Sequence, residues 1–406
     1  MPPATEVRGW SRLIAGTAAR VVLPTVRTMH RAISDGAYRW IGPIGAPIKR
    51  IDHAITDRVY GLVESGLVGL GEVGAAAGSL FGGPKAPASP TALGARAVAH
   101  GVLDESLLAV APELDLPLTL RYEGRDLEVS TPALAAAHPD ARRHLVVFVH
   151  GLIHTEQVWS SGGADSVRLP EVAVGAGTTP VLVRYSTGRA IGRNGAELAA
   201  LLERLVAAWP VPVETLTVVG HSMGGLVARS AAQCARQLGM VWPGLLRQVV
   251  TLASPHLGSW LEKTANLGTW TLRTASTRSA PIGALIDRRS RGIKDLRFGM
   301  LREDGWGQSP IDGLLTGRVA DEPWCARVVH HLVVGQLRPD PRHPLNHTFG
   351  DGLVRAASAT GAGRWRQIGP GGPVVVLPVR AAHTMLTRSP AVAEHLHEVL
   401  VQRPAA

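Results

Sequence analysis

The sequence has 406 residues, 45% of them hydrophobic and 18% charged, so it can build a sizeable core and global disorder is excluded. The net charge of +10 raises the question of a nucleic-acid partner. Only four of the 42 basic residues are lysines, however, and the arginines are scattered without a run that resembles a binding arm. We therefore expect no nucleic-acid partner. The two cysteines, Cys234 and Cys325, are too few for a disulfide framework or a cysteine-based metal site.

The first 95 residues predict an amphipathic helical extension. Apolar residues recur every three to five positions over residues 20–60, and arginines and lysines are interleaved with them. The Gly- and Pro-rich stretch at residues 82–95 predicts a linker or flexible loop at its end. Two interpretations stay open: a helical cap packed on the main domain, or peripheral contact with a membrane surface or a partner.

The least charged stretch of the sequence, residues 61–83, is long enough to cross a bilayer. It contains Glu64, Glu72 and many glycines, so we do not expect a membrane-spanning helix. Near the N-terminus, no apolar segment follows a basic start as it does in a secretory signal. We therefore expect a cytoplasmic protein that is either soluble or associated with a membrane surface.

From residue 144 onward, predicted strands and helices alternate, a pattern typical of an α/β domain with a parallel sheet covered by helices on both faces. The predicted strands lie at residues 144–149, 180–185, 215–219, 248–253, 328–334 and 374–379, and the predicted helices at 192–209, 223–238 and 391–401. Residues 258–327 break the alternation and predict an insertion. The sequence thus predicts one α/β domain over residues 96–406, with a lid or cap at about 258–327.

The most informative motif is Gly220-His221-Ser222-Met223-Gly224, a G-x-S-x-G pattern between a predicted strand and a predicted helix. Such a strand-to-helix turn is so tight that small residues are required at Gly220 and Gly224, where larger side chains would clash. The turn lifts the serine hydroxyl above the sheet edge, and the helix N-terminus presents free N–H groups to a developing oxyanion. The motif predicts that Ser222 is a nucleophile.

A serine nucleophile needs a general base and a carboxylate that orients the base. His383 follows the last predicted strand, and Asp351 lies between two glycines in a loop after the preceding predicted strand. The flanking glycines let the backbone bend so that the Asp351 carboxylate can point inward. Asp312 and Asp340 lack such glycines and are weaker alternatives for the acid.

The oxyanion hole is predicted from two backbone N–H groups. One belongs to Met223, directly after the nucleophile, and the other to the loop that follows the first strand of the predicted parallel sheet. In that loop Leu152 is the expected donor and Ile153 the alternative. His150, in the same loop, is predicted to be structural rather than to transfer protons.

These motifs, together with the segment at residues 251–259 and the loop at residues 350–354, resemble bacterial lipases and esterases and the related GPI inositol-deacylase-like hydrolases. The resemblance covers roughly residues 144–400. It implies the α/β-hydrolase fold, with a mostly parallel central sheet flanked by helices, and the chain order Ser222, Asp351, His383 agrees with it. Inserted lids are frequent in these families, but residues 258–327 combine apolar side chains with many basic ones. A mobile lid and a plain helical cap therefore both stay open.

The resemblance implies a serine hydrolase that cleaves carboxylic esters, including lipid esters, through an acyl-enzyme on Ser222. A thioesterase or a polyester depolymerase with the same triad is the alternative enzyme. A hydrolase-fold protein that only binds a membrane or a partner is the alternative of another class. No cofactor is implied.

Four histidines close together in the sequence raise the alternative of a metal site: His330, His331, His343 and His347. Neighbouring residues of a strand point to opposite faces, so the first two cannot both bind one ion. The prolines around the other two argue against the helix that their spacing would need. We therefore expect no metal.

Overall fold

A single eight-stranded sheet organises the part of the chain that the structure, a computed structural model, describes. The described residues are 93–94, 96–97, 100–101, 116–161, 166–259, 290–302, 323–340, 343–364, 366–369 and 371–402. Nearly all of the predicted extension at residues 1–95, most of the predicted insertion at residues 258–327 and the alternative acid Asp312 lie outside them.

The strands follow the order β2-β1-β4-β3-β5-β6-β7-β8 across the sheet. Their bounds are β1 Thr119–Tyr122, β2 Arg125–Leu127, β3 His144–Val149, β4 Thr179–Arg184, β5 Thr215–His221, β6 Leu246–Leu252, β7 Val329–Gln336 and β8 Val374–Arg380. Strands β3 to β8 are mutually parallel, whereas β1 pairs antiparallel with both β2 and β4. The expectation of a mostly parallel central sheet is therefore confirmed.

Helices cover both faces of this sheet. The α-helices are α1 Thr131–Ala137, α2 Leu169–Gly175, α3 Ile191–Ala208, α4 Met223–Gln237, α5 Arg291–Leu296, α6 Pro344–Phe349, α7 Ala356–Ala359 and α8 Pro390–Val401. Short 3-10 helices lie at Glu156–Trp159, Trp242–Gly244 and His383–Arg388. Within the described residues, no helix is long and apolar enough to cross a bilayer.

The core lies in two layers because successive side chains of each central strand point to opposite faces. On β3, Val147 packs with the apolar stripe of α3 and with α4, whereas Phe148 packs in the layer that contains α2 and α8. Each predicted strand and long helix is confirmed within two residues of its predicted ends. Strands β1 and β2 were not predicted, because they are short and β2 is mostly exposed.

Candidate active site

Ser222 lies at the turn between β5 and α4, as the motif predicts. Its φ is 54° and its ψ is −122°, in a region that residues with a side chain rarely adopt. Such a conformation costs about 1–3 kcal/mol and persists only where the surrounding structure enforces it. The Ser222 N–H donates to the Leu252 carbonyl at 2.8 Å and so ties the turn to β6. The serine is partly exposed, while its neighbours in the chain are buried.

The two glycines of the motif allow this turn because the backbone around them is closely packed. A Cβ atom on Gly220 would lie 2.5 Å from the Gly225 nitrogen, and one on Gly224 would lie 2.2 Å from the Val149 carbonyl oxygen. The first of these atoms belongs to the backbone of α4 and the second to that of β3, so neither can move aside. The expected requirement for small residues is therefore confirmed at both positions.

Asp351 and His383, predicted on separate loops, are brought into contact. His383 is the first residue of the 3-10 helix that follows β8, and its Nδ1 lies 2.8 Å from Asp351 Oδ2. The His383 backbone N–H also donates to the Asp351 carbonyl at 3.1 Å. Both side chains are buried, with Asp351 1% exposed. Asp351 therefore holds the imidazole of His383 through one hydrogen bond and the backbone of His383 through another.

The second oxygen of Asp351 is fixed by the loop itself. Its Oδ1 accepts from the N–H groups of Leu353 at 2.9 Å and Val354 at 2.8 Å. Gly350 has a φ of 62°, which gives the loop the sharp bend expected of the flanking glycines. The alternative acid Asp340 is exposed at the turn before α6. The structure thus pairs Asp351, and not Asp340, with His383.

The loop after β3 lies directly against the nucleophile turn. A Cβ atom on Gly151 would be 3.0 Å from the Ser222 Cβ. Residues 151–154, which we call the oxyanion turn, are closed by the His154 N–H donating to the Gly151 carbonyl at 3.3 Å. The Ile153 N–H donates to Thr187 Oγ1 at 3.2 Å. In the part of the chain that the structure describes, the Leu152 N–H has no acceptor, so the geometry favours Leu152 over Ile153 as an oxyanion donor.

The second predicted donor, Met223, is the first residue of α4. The N–H of a residue at this position has no acceptor within its own helix. It belongs to the residue after Ser222, so the partial positive charge of the helix N-terminus lies beside the serine.

His150 is placed as the structural residue that the sequence predicts. Its Nδ1 donates to the Gly151 carbonyl at 3.0 Å, and its Nε2 accepts from the Tyr185 N–H at 3.3 Å. The ring stacks on Tyr185 with the centroids 4.4 Å apart. Burial lowers the pKa of His150 to about 4, which keeps the imidazole neutral at pH 7. The Gly151 carbonyl belongs to the peptide unit that carries the Leu152 N–H, so His150 helps to orient that donor.

Two further histidines border the site, and sequence reasoning assigned them no role. His221 is buried, and its Nε2–H donates to the His383 carbonyl at 3.1 Å, which ties the nucleophile turn to the loop of the base. Burial, followed by the charge of His383, lowers the pKa of His221 well below its ordinary value. His154 Nδ1 lies 2.8 Å from the Leu152 carbonyl. The signal available in the sequence was their position: His221 directly precedes Ser222, and His154 lies two residues after Leu152.

The buried neutral histidines predict that the protein loses stability in mild acid. Burial lowers the pKa of His150, His330 and His331 to about 4. The unfolded chain takes up protons on these rings below its pKa of about 6.5, whereas the folded protein does not. We therefore expect the free energy of unfolding to be fully retained at pH 7 and to fall as the pH is lowered from about 6.5 towards 4.

Urea unfolding at pH 7.0, 5.5 and 4.5 measures this decrease. A His331→Gln variant, which removes one of these titrating rings, should show a shallower decrease than the wild-type protein. An equal free energy of unfolding at all three pH values would contradict the prediction.

The four histidines considered as a metal site do not converge. His330 Nε2 donates to the Cys325 carbonyl at 3.2 Å, while His331 Nδ1 lies 3.1 Å from His395 Nε2 on α8. His343 Nδ1 accepts from the Leu345 N–H at the start of α6. The expectation that the prolines exclude a helix here was wrong, because Pro344 is the first residue of α6, where a missing N–H removes no intrahelical hydrogen bond. Among the described residues, no group of three histidine, cysteine or carboxylate side chains is placed to hold a metal ion.

The comparison with known families agrees with this geometry. Residues 139–289 match the family described as "Putative serine esterase (DUF676)", and this range contains β3 to β6 and the Ser222 turn. The strand order and the turn after β5 are those of one fold, and this match agrees with it. The described residues have the α/β-hydrolase fold. The resemblance to serine esterases and lipases with this fold is thus confirmed, and no curated protein matches the chain.

Solved structures that are similar to the chain include a lipase, an esterase and a thioesterase. The Bacillus licheniformis lipase BlEst2 in its mature form is 16% identical, with a TM-score of 0.40, over 63% of this chain and 91% of that one. Human thioesterase 2 is 12% identical, with a TM-score of 0.33, over 64% and 95% of the two chains. A Pyrobaculum calidifontis esterase is 14% identical, with a TM-score of 0.33, over 64% and 76%. Sequence identities and TM-scores this low do not identify a substrate.

Proposed function

We propose that the protein hydrolyses carboxylic esters through an acyl-enzyme on Ser222, with His383 as the general base and Asp351 as the residue that orients it. The observation that carries the proposal is the 2.8 Å contact between His383 Nδ1 and Asp351 Oδ2 at the sheet edge where the strained Ser222 turn lies. The serine esterase family match supports an ester as the substrate.

In the proposed mechanism, the Nε2 atom of His383 removes the Ser222 hydroxyl proton while the hydroxyl oxygen attacks the ester carbonyl carbon. The negative charge that develops on the carbonyl oxygen is stabilised by the N–H groups of Leu152 and Met223, each worth about 3–4 kcal/mol. Asp351 stabilises the imidazolium that forms. His383 then protonates the departing alcohol, and the acyl group stays on the serine.

Hydrolysis of the acyl-enzyme repeats these steps with water as the nucleophile. His383 takes a proton from the water, the same two N–H groups stabilise the second oxyanion, and the carboxylic acid leaves as Ser222 regains its proton. The low pKa of the neighbouring His150 and His221 rings keeps them neutral, so neither places a second positive charge beside the imidazolium of His383.

A fluorophosphonate probe, which phosphonylates activated serines, tests the nucleophile. We expect the intact wild-type protein to be labelled, because the same base and oxyanion donors that serve an ester serve the probe. A Ser222→Ala variant should not be labelled. A Ser160→Ala variant, which changes an exposed serine, is the matched control and should be labelled as strongly as the wild type. An unlabelled but folded wild-type protein, or an equally labelled Ser222→Ala variant, would remove the proposal.

A substrate series then tests the chemical class. p-Nitrophenyl esters of increasing acyl length, below and above micelle formation, distinguish an esterase from a lipase that is activated at interfaces. Acyl thioesters of the same lengths form the second arm. We expect the higher kcat/KM for the oxygen esters, and a consistently higher value for the thioesters would favour the thioesterase alternative.

A further inference from the structure

The peptide unit between Leu152 and Ile153 is hydrogen-bonded at both ends by side chains that the proposed mechanism does not use. Its carbonyl oxygen, on Leu152, accepts from His154 Nδ1 at 2.8 Å. Its N–H, on Ile153, donates to Thr187 Oγ1 at 3.2 Å. A peptide unit is planar, so holding it at both ends fixes its rotation about the chain.

This peptide unit is held in a conformation that the local sequence disfavours. Ile153 has a φ of 57°, and for a β-branched residue such a value is an outlier. The Ile153 side chain also packs closely, since a Cβ atom on Gly101 would lie 2.6 Å from Ile153 Cγ2. Without hydrogen bonds at its two ends, the turn would relax towards a negative φ at Ile153.

Thr187 is itself fixed before any substrate arrives. Its side chain is buried, with an exposure of 1%, and it lies three residues after the end of β4. The preceding residue, Ser186, is tied to α3 because its carbonyl accepts from Asn194 Nδ2 at 2.9 Å. The Thr187 hydroxyl is therefore a preformed acceptor and not one that is assembled on binding.

We propose that Thr187 and His154 are a pair of positioning residues that hold the Leu152 N–H in place for the oxyanion. The inference rests on the proposed function, in which Leu152 is one of the two donors. Leu152 Cα joins two peptide units. One is the Leu152–Ile153 unit, which we call the clamped unit, and the other is the Gly151–Leu152 unit, which carries the Leu152 N–H. A rotation of the clamped unit would therefore turn this N–H away from the carbonyl oxygen of the substrate.

The clamp acts on the transition state more than on the bound ester. An oxyanion donor forms its strongest interaction with the charged oxygen of the tetrahedral intermediate, so its misplacement lowers kcat while KM changes little. Displacements of about 1 Å in such sites can cost about 100-fold in rate. Neither Thr187 nor His154 contacts the reacting atoms in this account, so each acts only through the turn.

The test is steady-state hydrolysis of a short-chain p-nitrophenyl ester by two pairs of full-length variants. Thr187→Val keeps the shape of the side chain and removes the acceptor, whereas Thr187→Ser keeps the hydroxyl. We expect Thr187→Val to lower kcat at least tenfold with KM within about twofold, and Thr187→Ser to stay within about threefold of the wild type. His154→Phe and His154→Asn form the second pair, in which only asparagine retains an N–H donor near the original position.

Thermal unfolding shows whether each variant is folded. If one variant does not fold, the other pair still tests the proposal. Wild-type kcat in Thr187→Val, or an equal loss in Thr187→Ser, would overturn the clamp while the proposed function stood. If instead the wild-type protein neither hydrolyses esters nor reacts with the fluorophosphonate probe, the proposed function itself fails. The two failures are therefore distinguished by the wild-type measurements alone.

Discussion

The Asp351→Asn variant is expected to hydrolyse a short-chain ester with a kcat about 10⁴-fold lower than that of the wild-type protein. The reason lies in the hydrogen bonds of the two carboxylate oxygens. Oδ1 accepts from two backbone N–H groups, those of Leu353 and Val354, so this position can only be taken by the oxygen of the asparagine amide. The amide nitrogen must then face His383 Nδ1, where Asp351 Oδ2 lies 2.8 Å away in the wild type.

This arrangement forces the wrong tautomer on the base. An amide nitrogen donates and cannot accept, so His383 Nδ1 would have to accept and its proton would move to Nε2. Nε2 is the atom that must receive the Ser222 proton, and a protonated Nε2 cannot do so. Because the asparagine keeps the shape and most of the contacts of the loop, we expect the loss in kcat and not in folding.

Steady-state kinetics and a thermal unfolding curve of the same sample check this prediction. Asp340→Asn is the matched control, because it makes the same chemical change at the exposed alternative acid, and we expect it to keep the wild-type kcat. A loss of similar size in Asp340→Asn, or wild-type kcat in Asp351→Asn, would show that Asp351 is not the orienting acid.

The Glu156→Gln variant is expected to lose about 3–5 kcal/mol of its free energy of unfolding. Glu156 lies in the 3-10 helix just after the oxyanion turn, and it is 4% exposed. Its Oε2 accepts from Arg184 Nε at 2.7 Å, its Oε1 accepts from Arg121 Nε at 3.2 Å, and Oε1 also pairs with Arg184 Nη2. Both arginines are buried as well. Removing the charge of Glu156 leaves the buried guanidinium group of Arg184 without a carboxylate partner, whereas Arg121 keeps its ion pair with Asp126.

The charge state of Glu156 agrees with this account. Burial alone would raise the pKa of its carboxyl, but the hydrogen bond and charge of Arg184 and the charge of Arg121 outweigh burial and lower the pKa below its ordinary value. A carboxylate of this kind stabilises the fold above its unfolded pKa, and the contribution is lost as the pH falls through the folded value.

Urea unfolding at pH 7 measures the effect, and Glu171→Gln supplies the control. Glu171 is exposed and pairs with Arg168 Nη1 at 2.9 Å on the surface, where an ion pair contributes about 0–1 kcal/mol. Similar losses in the two glutamine variants would mean that the buried ion pairs of Glu156 with Arg121 and Arg184 stabilise the fold no more than a surface ion pair does. These ion pairs join β1 and β4 to the 3-10 helix that follows the oxyanion turn, so their loss should also loosen this side of the site.

Features that depend on residues close in sequence were predicted, whereas features that depend on contacts between distant residues were found only in the structure. The long apolar strands and the Gly-x-Ser-x-Gly turn depend on neighbours within a few residues, and they lie where they were predicted. Strand β1 was missed because it has only four residues and carries Arg121, whose burial depends on Glu156, 35 residues away. The flanking glycines favoured Asp351 over Asp340 from the sequence, and the fold added the contact of Asp351 with His383.

The sequence by itself determined the parallel α/β architecture and the serine at the nucleophile turn, because side-chain periodicity and the steric limits of a tight turn are local properties of the chain. The α/β-hydrolase fold and the roles of Asp351 and His383 were implied by the resemblance to lipases and esterases. Only the tertiary structure decided that the Ile153 N–H is taken by Thr187, 34 residues away, and that His221 holds the carbonyl of His383, 162 residues away. Hydrogen bonds between residues so distant in sequence depend on how the strands order themselves in the sheet, and no local pattern records that order.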